Sequence, residues 1–449
     1  MEACELAEIE KGLKLQREGR LRDAEVTYRG ALKLDPNNAD ALHLLGTLAF
    51  QVGKYEIAVQ FIQRALKISP TSAHFYNNCG PALRALGRFE EAVDCYRKAM
   101  ELQPSLPQVW YNLGKCYGEA GQPLNALDAY NRQLEFDGGH PSARWNRSLV
   151  NLALGNFQDG WRDYELRWQA TPAAVGRRNF KIPAWTGETL NGKTLFIYAE
   201  QGLGDTIQFI RYATLVVERG GRVVVECQPE LVRLIQSMPS IEKVIPQGSP
   251  TPSCDYHIAM MSLPLAFQTR LETIPSHTPY LFVEDQESLI WKQRLGSEKP
   301  KRNIGLVWAG GQKHPGDARR SLNLDQLAPL AQISGIHWIS LQKGEPANQA
   351  LESVFSLSDW TTDLNDMRST AALIMTLDGV VTVDTAVAHL AGALGKPAWL
   401  LLPLVSDFRW LLNREDSPWY PNMRIVRQPL LGDWEGAIKK LYSILNDRV

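Results

Sequence analysis

Paired cysteines are missing from this chain of 449 residues: its six (Cys4, Cys79, Cys95, Cys116, Cys227 and Cys254) are scattered, with no C-x-x-C motif. That spacing argues against a disulfide framework or a thiolate zinc site and for a reduced, cytoplasmic protein. An excess of either charge is missing too. Lys and Arg number 48 against 49 Asp and Glu, a net charge of -1, so no overall field draws the chain to nucleic acid or an anionic membrane. No apolar run approaches the ~18 residues of a transmembrane helix, and the polar, acidic start Met1–Glu5 does not read as a signal peptide. The length allows roughly three domains at ~150 residues each.

What is present, first, is a repeat. Gly12, Gly46, Gly80 and Gly114 stand 34 residues apart, as do Ala24, Ala58, Ala92 and Ala126. Tyr28, Ile62, Tyr96 and Tyr130 keep the same interval, and Ala31, Ala65, Ala99 and then Pro36, Pro70, Pro104 follow in the first three units. Small residues at fixed places let two antiparallel helices close on one another, and a proline ends the second. The register resembles the tetratricopeptide repeat. Four full repeats span about residues 5–140, and a degenerate fifth with Gly160 and Tyr164 is expected to cap a solenoid domain over 1–170.

Asn78, Asn112 and Asn146 all fall at the sixth position of their repeats. In the repeat fold that position lies on the helix lining the concave groove, and an asparagine offers both a donor and an acceptor to the backbone of an extended chain. The three are therefore candidate contacts to a protein or peptide acceptor. Asparagine here also serves local hydrogen bonding in ordinary repeats, and the first two units carry Glu10 and Leu44 instead. A comparable ladder occurs in O-linked N-acetylglucosamine transferase, whose repeats present protein substrates to a glycosyltransferase domain.

After residue 170 the period vanishes, and Pro172, Gly176, Pro183, Gly187 and Gly192 mark a linker over 171–193. The aromatic-rich stretch Trp161 to Trp168 just before it is expected to pack rather than stay exposed. From Lys193 strands and helices alternate, predicting α/β domains with parallel sheets over 194–295 and 296–449. Thr194 to Ala199 reads as a strand ending in Gly202-Leu203-Gly204-Asp205, a turn into a helix that projects Asp205 into a cleft. A nicotinamide site is disfavoured, because the third glycine of a dinucleotide fingerprint is missing. The strand Asn303 to Trp308 opens the second α/β domain. Its following loop carries Lys313, Arg319 and Arg320, cations suited to neutralising a diphosphate, and a further strand ends in Gln342-Lys343. The run Gly379 to Val383 ends in Asp384-Thr385-Ala386-Val387 and leads through His389 to Gly395-Lys396-Pro397. Ligands of open parallel sheets bind at such strand ends, where helix N-termini offer free N–H groups. A nucleotide-sugar fits: Asp384 for a sugar hydroxyl, the backbone after Thr385 for phosphate.

Gly202-Leu203-Gly204-Asp205 together with Asp384-Thr385-x-x-x-His389 is similar to the bacterial heptosyltransferases over about residues 194–449. The whole chain resembles bacterial proteins that join tetratricopeptide repeats to a glycosyltransferase, some of which modify flagellin. That resemblance implies the GT-B architecture, two Rossmann-like domains facing across a cleft. By it, Asp205 is the catalytic base, with Gly202 and Gly204 on the acceptor side. Asp384, Thr385, Ala386, Val387 and His389 hold the donor, and Arg320 is the phosphate cation. The phosphate turn departs from the family: Asp384-Thr385-Ala386 stands where Asp-Thr-Gly is usual.

The reaction so implied is an inverting, metal-independent transfer from a nucleotide-sugar, needing no other cofactor. Asp205 takes the acceptor's proton, while Arg320, helped by Lys313 or Lys343, steadies the departing diphosphate. No Asp-x-Asp pair suited to a divalent cation is present. The alternatives are a non-catalytic repeat scaffold with a vestigial sugar-nucleotide domain, and a transferase acting on a glycan or lipid.

Overall fold

The computed structural model describes residues 2–106, 108–170, 178–296, 302–311 and 316–447. These fall into two compact units, Met1–Val150 and Asn151–Val449.

The first unit is a run of antiparallel helix pairs: Glu2–Arg17 with Leu21–Leu34, Ala39–Gln51 with Tyr55–Ile68, Ala73–Ala85 with Phe89–Leu102, and Gln108–Glu119 with Pro123–Phe136. The repeat glycine explains the close pairing. A Cβ on Gly80 would lie 2.2 Å from Cζ of Tyr96, and one on Gly114 would lie 2.6 Å from Cε1 of Tyr130. The aromatic ring of the second helix thus occupies the space that a side chain on the first would need. A second series at Gly19, Gly53, Gly87 and Gly121 makes the turns inside each pair, with φ between 74° and 77°. That left-handed backbone favours glycine.

The second unit begins within the helix Pro141–Leu154, earlier than the boundary at residue 170 that the period suggested. The reason is aromatic packing. Trp161, on the helix Phe157–Tyr164, sits edge-on to Phe209 and Phe408 at ring separations of 6.0 and 5.7 Å. Residues 157–164 therefore share the core of the α/β unit.

That unit is α/β, with two wholly parallel sheets among the described residues. The first contains β1 (Thr194–Tyr198), β2 (Arg222–Cys227), β3 (Lys243–Pro246) and β4 (Tyr256–Ala259) in the order β3-β2-β1-β4. The second contains β5 (Arg302–Val307), β6 (Ile336–Ser340), β7 (Ser358–Asp359), β8 (Gly379–Val383), β9 (Ala398–Leu402) and β10 (Met423–Arg427). Its order, β10-β9-β8-β5-β6-β7, is that of a doubly wound sheet. The strands β1, β8 and β9 are buried along their whole length, as their continuous apolar runs foretell. In each sheet the winding direction reverses beside the first strand, between β1 and β4 and between β5 and β8. At these reversals the neighbouring loops diverge and leave a crevice at the carboxyl ends of the strands.

One element departs from the sequence reading: the helix after β1 breaks into Leu203–Phe209 and Tyr212–Glu218 around Arg211. The terminal helix Trp434–Asn446 packs on the second sheet, where Ile438, Leu441 and Leu445 join Ile304, Leu306 and Val426 in one core.

Candidate functional site

The crevice at the carboxyl ends of β1, β5, β8 and β9 gathers a cluster of charged side chains. Asp205 lies in the first turn of the helix after β1. Its Oδ2 accepts the N–H of Gly202 at 2.8 Å, and its Oδ1 is ion-paired with Nη2 of Arg409 from the loop after β9. Nη1 of Arg409 reaches Asp407 at 2.7 Å. Arg409 is only 7% exposed, and its Nε has no hydrogen-bond partner. Gly204 serves packing: a Cβ there would lie 2.8 Å from Cδ2 of His389, so its bareness lets the helix after β1 approach the helix Ala386–Ala393.

Asp384 ends β8 at the same edge. Burial and the nearby negative charge of Asp407 push its carboxyl up to about 6, against the opposing pull of the Trp410 indole and of Arg320 and Arg409. Thr385 is the N-cap residue, and the helix opens with Ala386 and Val387, whose N–H groups lie in its first turn. His389 is buried, stacked on Trp410 at 5.1 Å, and shares a 3.0 Å hydrogen bond through Nδ1 with the hydroxyl of Tyr420. Burial first, then the cations Arg409, Arg211 and Arg320, hold it well below its ordinary titration range, so it is neutral. Its place is structural: it carries the contact with Gly204.

The cations named from sequence divide. Arg320 is half-buried, with Nε 3.3 Å from Asp317, and acts electrostatically on Asp384 and His389. Arg319 is exposed. Lys343 donates to the carbonyl of Leu364. Lys313 lies outside the described residues. Gln342 is a correction. Its Oε1 accepts the N–H groups of Trp308 and Ala309 at 3.0 and 2.9 Å, and its Nε2 donates to the carbonyls of Ala309 and Lys343 at 3.1 and 3.0 Å. With its four hydrogen-bonding positions taken by backbone, Gln342 braces the loop after β5 instead of offering itself to a donor. Among the described residues no three His, Cys, Asp or Glu side chains converge as a metal-binding set, and no helix is long and apolar enough to cross a membrane.

In the first unit the three asparagines join successive pairs. Asn78 bonds His43 at 2.9 Å, Asn112 donates to Asn77 at 3.0 Å, and Asn146 meets the Tyr111 hydroxyl at 3.4 Å. Each bond spans 35 residues, from the sixth position of one repeat to the fifth of the repeat before. Asn78 also accepts from Asn77 at 3.2 Å, so local bonding takes up part of the polar capacity of these side chains.

Comparison with known proteins bears on this unit. The family described as Tetratricopeptide repeat matches at residues 9–73 and again at 107–140, and one described as TPR repeat matches at 80–121. The N-terminal helices are tetratricopeptide repeats. Protein FlbA of Caulobacter vibrioides is 27% identical over 330 residues, covering 67% of this chain and 54% of its own length. The chain thus spans about half of that curated relative. Among solved structures, pilF of Pseudomonas aeruginosa is similar at 25% identity and TM-score 0.36, over 40% of this chain and 79% of its own. A tetratricopeptide repeat protein from Parabacteroides merdae is similar at 22% identity and TM-score 0.33, over 38% of this chain and 68% of its own.

Beyond the tetratricopeptide repeats, sequence reasoning missed three buried cations. Arg409 is one. Arg167 is another: its Nη2 meets Glu200 at 3.1 Å and Ser262 at 2.7 Å, fixing the loop that leads to Asp205. Arg211 is the third, donating to the carbonyls of Gln208, Pro275 and Trp419 and to the Tyr280 hydroxyl, and so tying the two sheets' loops together. Each stands alone among apolar or aromatic neighbours in the sequence, and that isolation was the available signal.

A cavity of about 500 Å³ lies apart from this cluster, lined by Glu165, Trp168, Phe180, Tyr198 and His257 among others. Its aromatic faces are already engaged by the protein's own cations: Arg178 lies over Phe180 and Tyr198, and Arg167 over Trp168. The charged crevice is therefore the better candidate for chemistry.

Proposed function

We propose that the α/β unit is a GT-B glycosyltransferase that moves a sugar from a nucleotide-sugar to an acceptor, and that the repeats dock a protein acceptor. One observation carries the reading: Asp205 from the first turn of the helix after β1 meets Arg409 from the loop after β9, beside Asp384 and the first turn of the helix Ala386–Ala393. A carboxylate on one wall of a crevice faces cations and helix N–H groups on the other, which suits attack by a hydroxyl on a carbon bearing an anionic leaving group.

In the step proposed, the acceptor oxygen bonds to the anomeric carbon as the carbon–oxygen bond to the diphosphate breaks. The hydroxyl proton passes to Asp205, and the bonding pair leaves with the diphosphate, steadied by Arg320, Arg409 and the N–H groups of Ala386 and Val387. The anomeric configuration inverts in this single displacement. Asp384 accepts a hydroxyl of the donor sugar. The remaining hydrogen-bonding capacity of Asn78, Asn112 and Asn146 serves the acceptor chain.

A second reading, a non-catalytic scaffold, is favoured by one feature: both oxygens of Asp205 are already engaged, by Gly202 and Arg409. Turnover separates the two. Donor consumption by the purified chain, assayed across nucleotide-sugars, should fall roughly 10²–10⁴-fold in Asp205→Asn with the fold intact. Undiminished turnover in that variant would remove Asp205 from the mechanism, and a total lack of turnover with every donor supports the scaffold.

A further inference from the structure

The two guanidinium groups that act on Asp384 are each held by a carboxylate. Arg320 faces Asp317, and Arg409 lies between Asp407 and Asp205. Asp384 adds a further acidic group at the same edge. A diphosphate does not meet a ready cationic cradle here. It must displace carboxylates from guanidinium groups.

The geometry of Arg409 says which one. A guanidinium presents a two-toothed edge made of Nε–H and one Nη2–H, matched to two oxygens of a carboxylate or phosphate. Asp205 takes only the Nη2 tooth, because its other oxygen is bound to the Gly202 N–H. The Nε tooth is buried with no acceptor, which leaves that edge half-satisfied and costs free energy. On the other edge Asp407 holds Nη1 at 2.7 Å and also accepts the backbone N–H of Arg409 at 3.0 Å, so that anchor is firm. Beside it the fully buried indole N–H of Trp410 is turned to the Asp384 carboxyl. A buried guanidinium N–H without an acceptor, in the loop whose Trp410 stacks on His389 of the helix Ala386–Ala393, marks a place for an anion with several oxygens.

We infer that the donor's diphosphate takes the Nε–Nη2 edge of Arg409 and displaces Asp205, so that the base is freed only in the donor-loaded protein. This rests on the glycosyltransferase reading and adds an order to it: donor binds first, acceptor second. Arg409 acts on the base as a positioning residue and on the leaving group by contact. The exchange couples the two halves of the chemistry. Until an anion replaces it, the Oδ1 of Asp205 is committed to the Arg409 ion pair and does not face an acceptor hydroxyl alone.

The test measures binding, not turnover, with the full chain and a panel of nucleoside diphosphates and the matching nucleosides in titration calorimetry. If Asp205 competes with the diphosphate, removing its charge must tighten diphosphate binding. Asp205→Asn should gain about tenfold and Asp205→Ala at least as much, with nucleoside affinity unchanged in both. Arg409→Lys keeps the charge and loses the fork, and should weaken diphosphate binding about tenfold or more while leaving nucleosides unaffected. Melting curves of the free variants establish that each is folded, and either Asp205 variant alone suffices for the competition test. Diphosphate affinity that is unchanged or lower in both Asp205 variants overturns the exchange but leaves the donor site standing. Failure of the unmodified chain to bind any nucleoside diphosphate overturns the donor site, and the exchange with it.

Discussion

The two units of this chain are held together by different means. In the repeats, contacts between helices are set by size: a missing side chain at Gly12, Gly80 or Gly114 receives the ring of Tyr28, Tyr96 or Tyr130. The α/β unit places charges in its interior, with Arg167, Arg211, Glu226 and Arg409 all nearly inaccessible to solvent. Buried charge is poor value for stability, since desolvation offsets much of what pairing returns. Where it is kept, it specifies geometry. The repeats are built to be extended unit by unit, and the α/β unit to hold a few loops in one arrangement.

The largest effect expected from breaking this contrast is at Arg211. It is 3% exposed, with no carboxylate among its hydrogen-bond partners; backbone carbonyls and the rings of Tyr280, Trp419 and Tyr420 surround it. Arg211→Met fills the space but leaves the carbonyls of Gln208, Pro275 and Trp419 without this donor. The cost should be about 3–5 kcal/mol, read as an earlier urea midpoint for the α/β unit. A loss below about 1 kcal/mol would mean that packing, not these bonds, holds the loops.

Next comes a pH effect that the repeats should not share. Burial pushes the Glu200 carboxyl from its ordinary 4.5 up to about 7, against the opposing pull of Arg167 and the Met261 N–H. Between those values the folded chain binds a proton that the unfolded chain has released. Stability from this group is therefore greatest at the acid end and declines as pH rises toward 7, by on the order of 2–4 kcal/mol. Asp384, raised to about 6, adds a decline of the same sign that ends lower. Glu200→Gln should flatten the fall between pH 5 and 7 in chemical denaturation of the α/β unit. A slope equal to that of the unaltered chain would assign the pH dependence elsewhere.

The same difference decides what could be read from sequence. The repeats were legible because their packing rule recurs: one glycine and one ring, every 34 residues, in phase. Asp205 and Asp384 were legible because a buried strand ending in a turn and a helix announces a crevice. Arg409 was not, because its meaning comes from Asp205, 204 residues earlier in the chain. A lone arginine in Asp407-Phe408-Arg409-Trp410 reads as surface until the fold buries it. Gln342 misled for the opposite reason. A polar residue at a strand end resembles a ligand until its amide is found satisfied by four backbone groups. The boundary at residue 170 followed the fading period, whereas Trp161 and Tyr164 follow the aromatic core of the α/β unit.

A smaller effect is expected for size alone. Gly80→Ala puts a methyl group 2.2 Å from Cζ of Tyr96, a contact that a rigid ring between two helices relieves only by moving them apart. Overpacking of this kind costs about 1–3 kcal/mol. The loss should appear in the melting of the repeats and be independent of pH from 5 to 8. Pairing it with Tyr96→Phe tests the geometry, because the hydroxyl itself would lie 2.6 Å from the new methyl and its removal should recover part of the loss.

The smallest effect concerns the asparagine ladder, where packing and ligand capture make different demands. Asn112 donates to Asn77 at 3.0 Å across adjacent repeats, in a half-buried setting where water can replace a lost partner. Asn112→Ala should therefore cost about 1 kcal/mol in the stability of the repeats, as an ordinary hydrogen bond does. If that were its whole role, Asn77→Ala would cost at least as much, because it also removes the Asn77 donation to Asn78 at 3.2 Å, and the double variant little more than Asn77→Ala alone, since the bond between the two is already lost there. Peptide capture adds a second demand on Asn112. In the double variant, affinity for an acceptor chain should then stay as low as in Asn112→Ala, whereas Asn77→Ala alone, which frees the Asn112 amide, should bind at least as well as the unaltered protein. Equal losses of affinity in the two single variants would reduce the ladder to a device for stacking repeats.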